Sequence, residues 1–382
     1  MARNTPDEDL LSTISFKTIL DNLSDAVLIL APDLKVVFWN TGSEKLFGLT
    51  SEQVLGKSCS VLNILCHQDK HGKKLCSTPS CLFAKIISNG FSGRFPHVIY
   101  MYDHNNEQIP VNLTTDMIRN DDSLVTGMVA VISSMKDEYH QLTMAGQIQR
   151  RMVTTRPVTA GNFRAETLFE PMEETSGDFL EIFTLNDGRL MAAMADATGH
   201  GISASLFTMI FTSLLHANLA EGFSLEIAVK KINQEYYRIV NVDGFYLTAV
   251  FVLLDPKSGK GKFISAGHPP MMIFKKEGAG NMPCELLEPT SPMLGLDPGL
   301  EFPSEPFHLE KGQFLFAATD GVYENPTVDT SPFGMEGVAL YYRDRMPAGS
   351  LTGLQEILEG ISQYTEPVDD ISMMVIFRPE DQ

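Results

Sequence analysis

Basic side chains are scarce: 29 Lys and Arg stand against 48 Asp and Glu, a formal charge of −19 at pH 7. Gripping a phosphate backbone takes clustered Lys and Arg, so this balance argues against nucleic acid as a partner. Long apolar runs are missing too. The longest, such as Ala26–Ala31 and Met128–Ile132, are strand-sized, well short of the ~20 residues that span a bilayer. The opening "MARNTPDEDLLSTIS" lacks the basic-then-apolar layout of a secretory leader, so a cytoplasmic protein with no membrane role is expected. There is one Trp, and the five Cys are odd in number and expected to be reduced in that compartment. No internal repeat or low-complexity tract occurs. What remains, 43% hydrophobic and 20% charged residues over 382 positions, is ordinary globular composition and enough for two domains at ~100–200 residues each.

The first part alternates short helices and strands. "SFKTILDNLSDAVLIL" reads as a helix and an apolar strand, and "APDLKVVFWN" as a turn and second strand, a hairpin through Pro32-Asp33. "SEKLFGLTSEQVLGK" gives short helices punctuated by Gly48 and Gly56. Then "GFSGRFPHVIYMYDHNNEQIPVNLTTDMIR" and "SLVTGMVAVISSMKDE" read as three antiparallel strands. In order and spacing, residues 20–138 resemble a PAS sensor domain, an antiparallel sheet with helices. From Lys136 to Met152, apolar residues at Tyr139, Leu142, Ala145, Ile148 and Met152 mark one face of a helix. It is either a plain connecting helix or a dimerising signalling helix. Pro157 breaks it. The expected division is 1–135, a helical linker 136–156, and a second domain 157–382.

In the second domain, four apolar strands end or begin on carboxylates. They are "TSGDFLEIF" with Asp178 and Glu181, "MAAMADATGHG" with Asp196, "QFLFAATDGVYE" with Asp320 and Glu324, and "PVDDISMMVIF" with Asp369 and Asp370. Uninterrupted strands such as Met191–Ala195 and Phe314–Ala318 belong in a buried sheet sandwich. An acid at the lip of such a core needs a partner, because burying a lone charge is costly. With basic partners scarce, divalent cations are the better balance. An all-oxygen donor set suits hard ions such as Mg²⁺ or Mn²⁺ rather than zinc. Two such ions sharing a carboxylate would activate a water for attack on phosphorus.

"SGDFLEIF", "DGRLMAAMADATGHGISASLF", "LTAVFVLLDPKSGKGKFISAGHPPMMIF", "SPMLGLDPG", "LFAATDGVYE" and "DDISMMVIFR" are, in this order, similar to the motifs of the SpoIIE-type branch of the PPM metal-dependent protein phosphatases. The resemblance runs over residues 145–378 and implies an α-β-β-α sandwich, an α+β architecture, with two Mn²⁺ or Mg²⁺ at one end. It implies hydrolysis of phosphoserine or phosphothreonine on a STAS-domain regulatory protein. Carried over by position, Asp196 is the bridging carboxylate, joined by the carbonyl of Ala197. Asp320 and Asp369 are outer ligands, and Asp178 is a further one. The family pattern has Gly where this chain has Ser176 and Asp where it has Glu181, which leaves open a pseudophosphatase that only binds a partner. Asp370, Glu181 and Glu324 are candidates for a supporting role around the ligands.

Two histidines occupy turns. His200 in "ATGHG" reads as scaffolding between Gly199 and Gly201, and His268 in "AGHPP" reads as either a proton donor or the residue that fixes the turn. Cys59, Cys66, Cys76 and Cys81 crowd the sensor half at spacings unlike common zinc sites. Zinc or iron–sulfur ligation, a redox-switched disulfide and simple packing all remain open. A homodimer through the PAS domain and linker helix is expected. A histidine kinase is disfavoured, since no Gly-rich nucleotide motif follows.

Overall fold

The computed structural model describes residues 16–62, 81–89, 92–94, 99–105, 107–199, 201–220, 222–240, 244–274, 284–324, 333–345, 353–362 and 369–380. The chain divides into two compact units, 1–141 and 142–382.

In the first unit the strands are β1 (Ala26–Leu30), β2 (Val36–Trp39), β3 (Gly93–Arg94), β4 (Ile99–Tyr102), β5 (Gln108–Arg119) and β6 (Val125–Ser134). They form one antiparallel sheet in the order β2-β1-β6-β5-β3, with β4 also on β5. Helices α1 (Phe16–Asp21), α2 (Thr41–Phe47), α3 (Ser51–Val54), α4 (Cys59–Leu62) and α5 (Leu82–Asn89) complete it. Apolar residues alternate along β5, so Ile109, Val111 and Leu113 reach one core with Leu28, Phe47, Phe83 and Ile132. Asn40 knots the first hairpin to α2. Its Oδ1 accepts from the N–H groups of Val27 and Ser43, and its amide donates to the carbonyls of Leu20 and Asp25. Cys59 and Cys81 are buried, Cys59 within the apolar core. Cys66 and Cys76 lie outside the described residues, as does His200.

Helix α6 (Lys136–Met152) contains the division between the units. Its buried face follows the expected stripe at Tyr139, Leu142, Ala145 and Met152, which are half-buried, and departs from it at Ile148, which is exposed. Gly146 and Gln149, which the apolar spacing did not mark, are buried. The reason is close packing: a Cβ on Gly146 would stand 1.9 Å from the Glu174 carbonyl oxygen. Backbone proximity adds Gly146 to the face that apolar periodicity marks.

The second unit holds two antiparallel sheets. One runs β15-β12-β11-β10-β9 and the other β14-β13-β16-β17-β8-β7. These strands are β7 (Val158–Ala160), β8 (Phe163–Glu170), β9 (Asp178–Thr184), β10 (Leu190–Ala197), β11 (Leu247–Leu254) and β12 (Lys260–Ala266). The others are β13 (Met271–Phe274), β14 (Cys284–Leu287), β15 (Glu305–His308), β16 (Phe314–Ala318) and β17 (Ile371–Phe377). Period-2 alternation divides two cores. Leu315, Ala317, Met374 and Ile376 face the space between the sheets. Phe314, Phe316, Met373 and Val375 face outward, under helices α10 (Gly334–Arg345) and α11 (Gly353–Ser362). Helices α7 (Ile202–Ala220) and α8 (Leu225–Val240) cover the other sheet, where Phe211 of α7 meets the rings of Phe179 and Phe251. The short α9 (Asp320–Tyr323) follows β16. The result is the expected helix–sheet–sheet–helix sandwich.

One helix among the described residues, α7, is long and apolar enough by length and composition to cross a membrane, which the strand-sized runs in the sequence did not anticipate. Its Phe211, Leu214 and Leu215 belong to the sandwich core.

Candidate metal centre

Strand direction gathers the acids. β9 begins at Asp178 and β10 ends just after Asp196, and in their antiparallel register the two aspartates stand directly opposite. Directly opposed side chains share a face, with Cβ atoms about 4.5–5.5 Å apart. In the other sheet β16 runs out through Thr319 to Asp320, beside the start of β17, which Asp369 and Asp370 precede. Thr319 joins the sheets: its hydroxyl donates to Asp178 Oδ2 at 2.9 Å and accepts the Ser372 N–H at 3.1 Å.

Asp370 has a structural task. Its carboxylate accepts the N–H groups of Met172 and Gly177, each at 2.7 Å, and so ties the segment leading into Asp178 to β17. The same segment is held from α6. Gln149 donates to the Ser176 carbonyl at 2.6 Å and accepts the Ser176 N–H at 2.9 Å. Ser176, where the family pattern has Gly, is fully buried, and its hydroxyl accepts the Asp178 N–H at 3.0 Å. Gln149→Leu would leave the Ser176 N–H and C=O buried without partners. At about 1–3 kcal/mol each, and ~2–4 °C per kcal/mol for a domain of this size, the thermal midpoint should fall by roughly 5 °C or more. An unshifted melting curve would show that the clamp carries no stability.

The electrostatics are those of crowded like charges. Burial, reinforced by Asp178, Asp320, Asp369 and Asp370, pushes Asp196 up to about 10. Asp178, only 2% exposed, is raised by burial and then by Asp370, against the hydroxyls of Ser372 and Thr319. Asp320 is raised by burial and then by Asp369 and Glu324. In Asp370 burial outweighs the donors from Met172, Ser176 and Gly177. None of the ion pairs among the described residues involves these acids. No three His, Cys, Asp or Glu side chains among the described residues close on one point tightly enough to enclose an ion. The acids sense one another at electrostatic range instead. Buried, mutually repelling carboxylates without a base form a donor set that suits hard divalent cations.

The other sequence candidates fall elsewhere. Glu181 is three residues from Asp178, hence on the opposite face of β9, and pairs with His216 of α7 at 2.8 Å. Glu324 is exposed at the end of α9, near enough to add to the charge on Asp320. His268 is 1% exposed in the turn after β12, and its Nδ1 lies 3.1 Å from the Pro269 carbonyl. Burial pushes its imidazole down to about 4, so it stays neutral and braces the turn. Ala197 lies beside Asp196, with its N–H on the Gly177 carbonyl. Sequence reasoning missed Gln149, Thr319 and the buried hydroxyls of β11 and β17, because a polar residue between apolar ones carries no signal of which way it points.

A two-sheet sandwich with helices outside and clustered aspartates at one end defines the class. Residues 186–379 match the family described as Stage II sporulation protein E (SpoIIE), half of the chain, and residues 24–138 match the PAS domain. The chain belongs to the SpoIIE family and carries a PAS domain ahead of the phosphatase-type fold. It is similar to phosphoserine phosphatase RsbP of Bacillus subtilis, 27% identical over 198 residues, covering 51% of this chain and 48% of that protein. It is also similar to protein IcfG of Synechocystis sp., 23% identical over 278 residues, 65% of this chain and 43% of that protein. The chain thus spans about half the length of the curated relatives it matches. In fold it is similar to the SiaA-PP2C domain of Pseudomonas aeruginosa, with a TM-score of 0.53 and 19% identity over 64% of this chain and 98% of that one. The RsbU and RsbW domains of a Mycobacterium tuberculosis protein give 0.51 and 21%, over 61% and 64%.

Proposed function

We propose that the chain is a sensor-regulated, metal-dependent serine/threonine protein phosphatase. The observation that carries this reading is the convergence of Asp178, Asp196, Asp320 and Asp369 at one end of the sandwich with no basic partner among the described residues. The name of the relative RsbP, a phosphoserine phosphatase, supports the substrate class. These four aspartates, with the Ala197 carbonyl, would hold two Mn²⁺ or Mg²⁺. When bound, such a pair supplies an activated water and offsets phosphoryl charge. Asp196 and Asp178 share one face and Asp320 and Asp369 approach from the second sheet, so donors come from both sides. Asp370 and Thr319 keep Asp178 in place. Both departures from the family pattern leave the aspartates where they are. Ser176 satisfies its hydroxyl locally and Glu181 faces α7, so neither favours a pseudophosphatase.

The substrate in this reading is a phosphorylated STAS-domain regulator, with the PAS domain receiving the signal and residues 136–156 relaying it within a cytoplasmic homodimer. Purified chain should release phosphate from a phosphoserine STAS protein with Mn²⁺ present and stop when a chelator is added. No release from phosphoserine or phosphothreonine proteins with either Mn²⁺ or Mg²⁺ would refute the reading.

A further inference from the structure

Two buried hydroxyls beside the acids have no hydrogen-bond partner among the described residues: Thr248 Oγ1 and Ser372 Oγ. A sealed donor without an acceptor carries a free-energy cost, so each asks for an explanation. Their positions supply one. Thr248 is the register partner of Asp196 on β11, as Asp178 is on β9. Asp178, Asp196 and Thr248 therefore make a row across three strands on one face, and no donor among the described residues reaches the Asp196 carboxylate. A hydroxyl on a directly opposed Cβ lies within a side-chain rotation of that carboxylate. Ser372 is fully buried on β17, with its backbone N–H on the Thr319 hydroxyl that donates to Asp178. The Ser372 side chain has the parity of Met374 and Ile376, so it faces the space between the sheets, the side on which Thr319 reaches Asp178.

We propose that Thr248 and Ser372 are positioning residues: each donates its hydroxyl to the ionised carboxylate it faces, Thr248 to Asp196 and Ser372 to Asp178, and thereby sets which oxygen is left for the cations. This rests on the phosphatase reading and adds a second layer to its donor set. A carboxylate ligand whose outer oxygen is tied down keeps its orientation, and loss of such partners typically weakens metal affinity or activity 10–100-fold. Thr319 already plays this part for Asp178 at 2.9 Å. Ser372 gives that carboxylate a second donor, and Thr248 gives Asp196 its first.

The test is calorimetric titration of Mn²⁺ into the chelator-stripped full chain. Thr248→Val and Ser372→Ala should raise the dissociation constant about tenfold or more, while Thr248→Ser and Ser372→Thr, which keep the hydroxyl, stay near wild type. Without divalent ions, Thr248→Val should melt no lower than wild type, because the hydroxyl it removes is unpaired. A packing role would instead lower the midpoint and leave affinity alone. On a phosphoprotein substrate kcat should fall and KM should hold. If wild type takes up Mn²⁺ and the Val and Ala variants match it, the inference is overturned. If wild type takes up none, the phosphatase reading falls with it.

Discussion

Asp196→Asn should lower Mn²⁺-dependent phosphate release by about 10³-fold or more, the largest effect expected of any single substitution in this chain. A two-cation centre contributes several kcal/mol at the transition state, and each decade of rate corresponds to ~1.4 kcal/mol. Asp196 stands directly opposite Asp178 in its sheet, and it is repelled by Asp178, Asp320, Asp369 and Asp370. Replacing it by Asn keeps the volume and spares the cation-free folded chain the cost of holding that carboxyl protonated. The chelator-treated variant should therefore melt at or above the wild-type midpoint while losing turnover. That pairing separates loss of a ligand from loss of the fold. Glu181→Gln supplies the contrast. Its carboxylate lies on the other face of β9 and pairs with His216, so its rate should stay within about fivefold of wild type, as for a pair worth ~1 kcal/mol or less. Release by Asp196→Asn at the wild-type rate, with phosphoprotein saturating, would remove Asp196 from the centre.

The strands around this centre were legible because burial on both faces writes itself as uninterrupted apolar runs. β10 is buried at every position but Asp196. The four aspartates were legible as the residues that stop those runs. The parity of Glu181 could have been read as well, since an odd offset from Asp178 places it on the opposite face. What could not be read is the support. Gln149, Thr319, Thr248 and Ser372 act through contacts between residues far apart in sequence, such as Asp370 with Gly177 at a separation of 193 and Thr319 with Asp178 at 141. The α6 stripe was legible except at Ile148, and its buried members Gly146 and Gln149 were missed for a related reason. Gly146 is buried because backbone approaches backbone there, and apolar spacing does not report that.

Crowded carboxylates also fix how stability depends on pH. With divalent ions removed, the protein should become less stable as pH rises from 7 to 9. Asp196 is pushed up to about 10 in the folded protein, against about 3.9 in an unfolded chain. Between those values the folded state keeps a proton that the unfolded state has released. Its stabilising contribution is full below the unfolded value and is lost as pH climbs through the folded one. Asp178, Asp320 and Asp370 shift in the same direction, each with burial as the leading cause. The slope is on the order of 1 kcal/mol per pH unit for each proton retained, or ~2–4 °C in midpoint per kcal/mol. The window excludes the opposing groups. His268, held down to about 4, favours folding as pH rises only up to about 6.5, where its unfolded counterpart has lost its proton. Glu226, held down to about 2 by Lys262 and Ser304 against burial, acts below about 4.5. Cations binding the ionised acids displace those protons, so the midpoint gained from Mn²⁺ should grow from pH 7 to pH 9. Melting curves at both pH values, with chelator and with Mn²⁺, decide it. A chelated midpoint that rises across this interval would mean that the acids ionise in the folded protein without help, and the case for cations as their balance would lose its electrostatic ground.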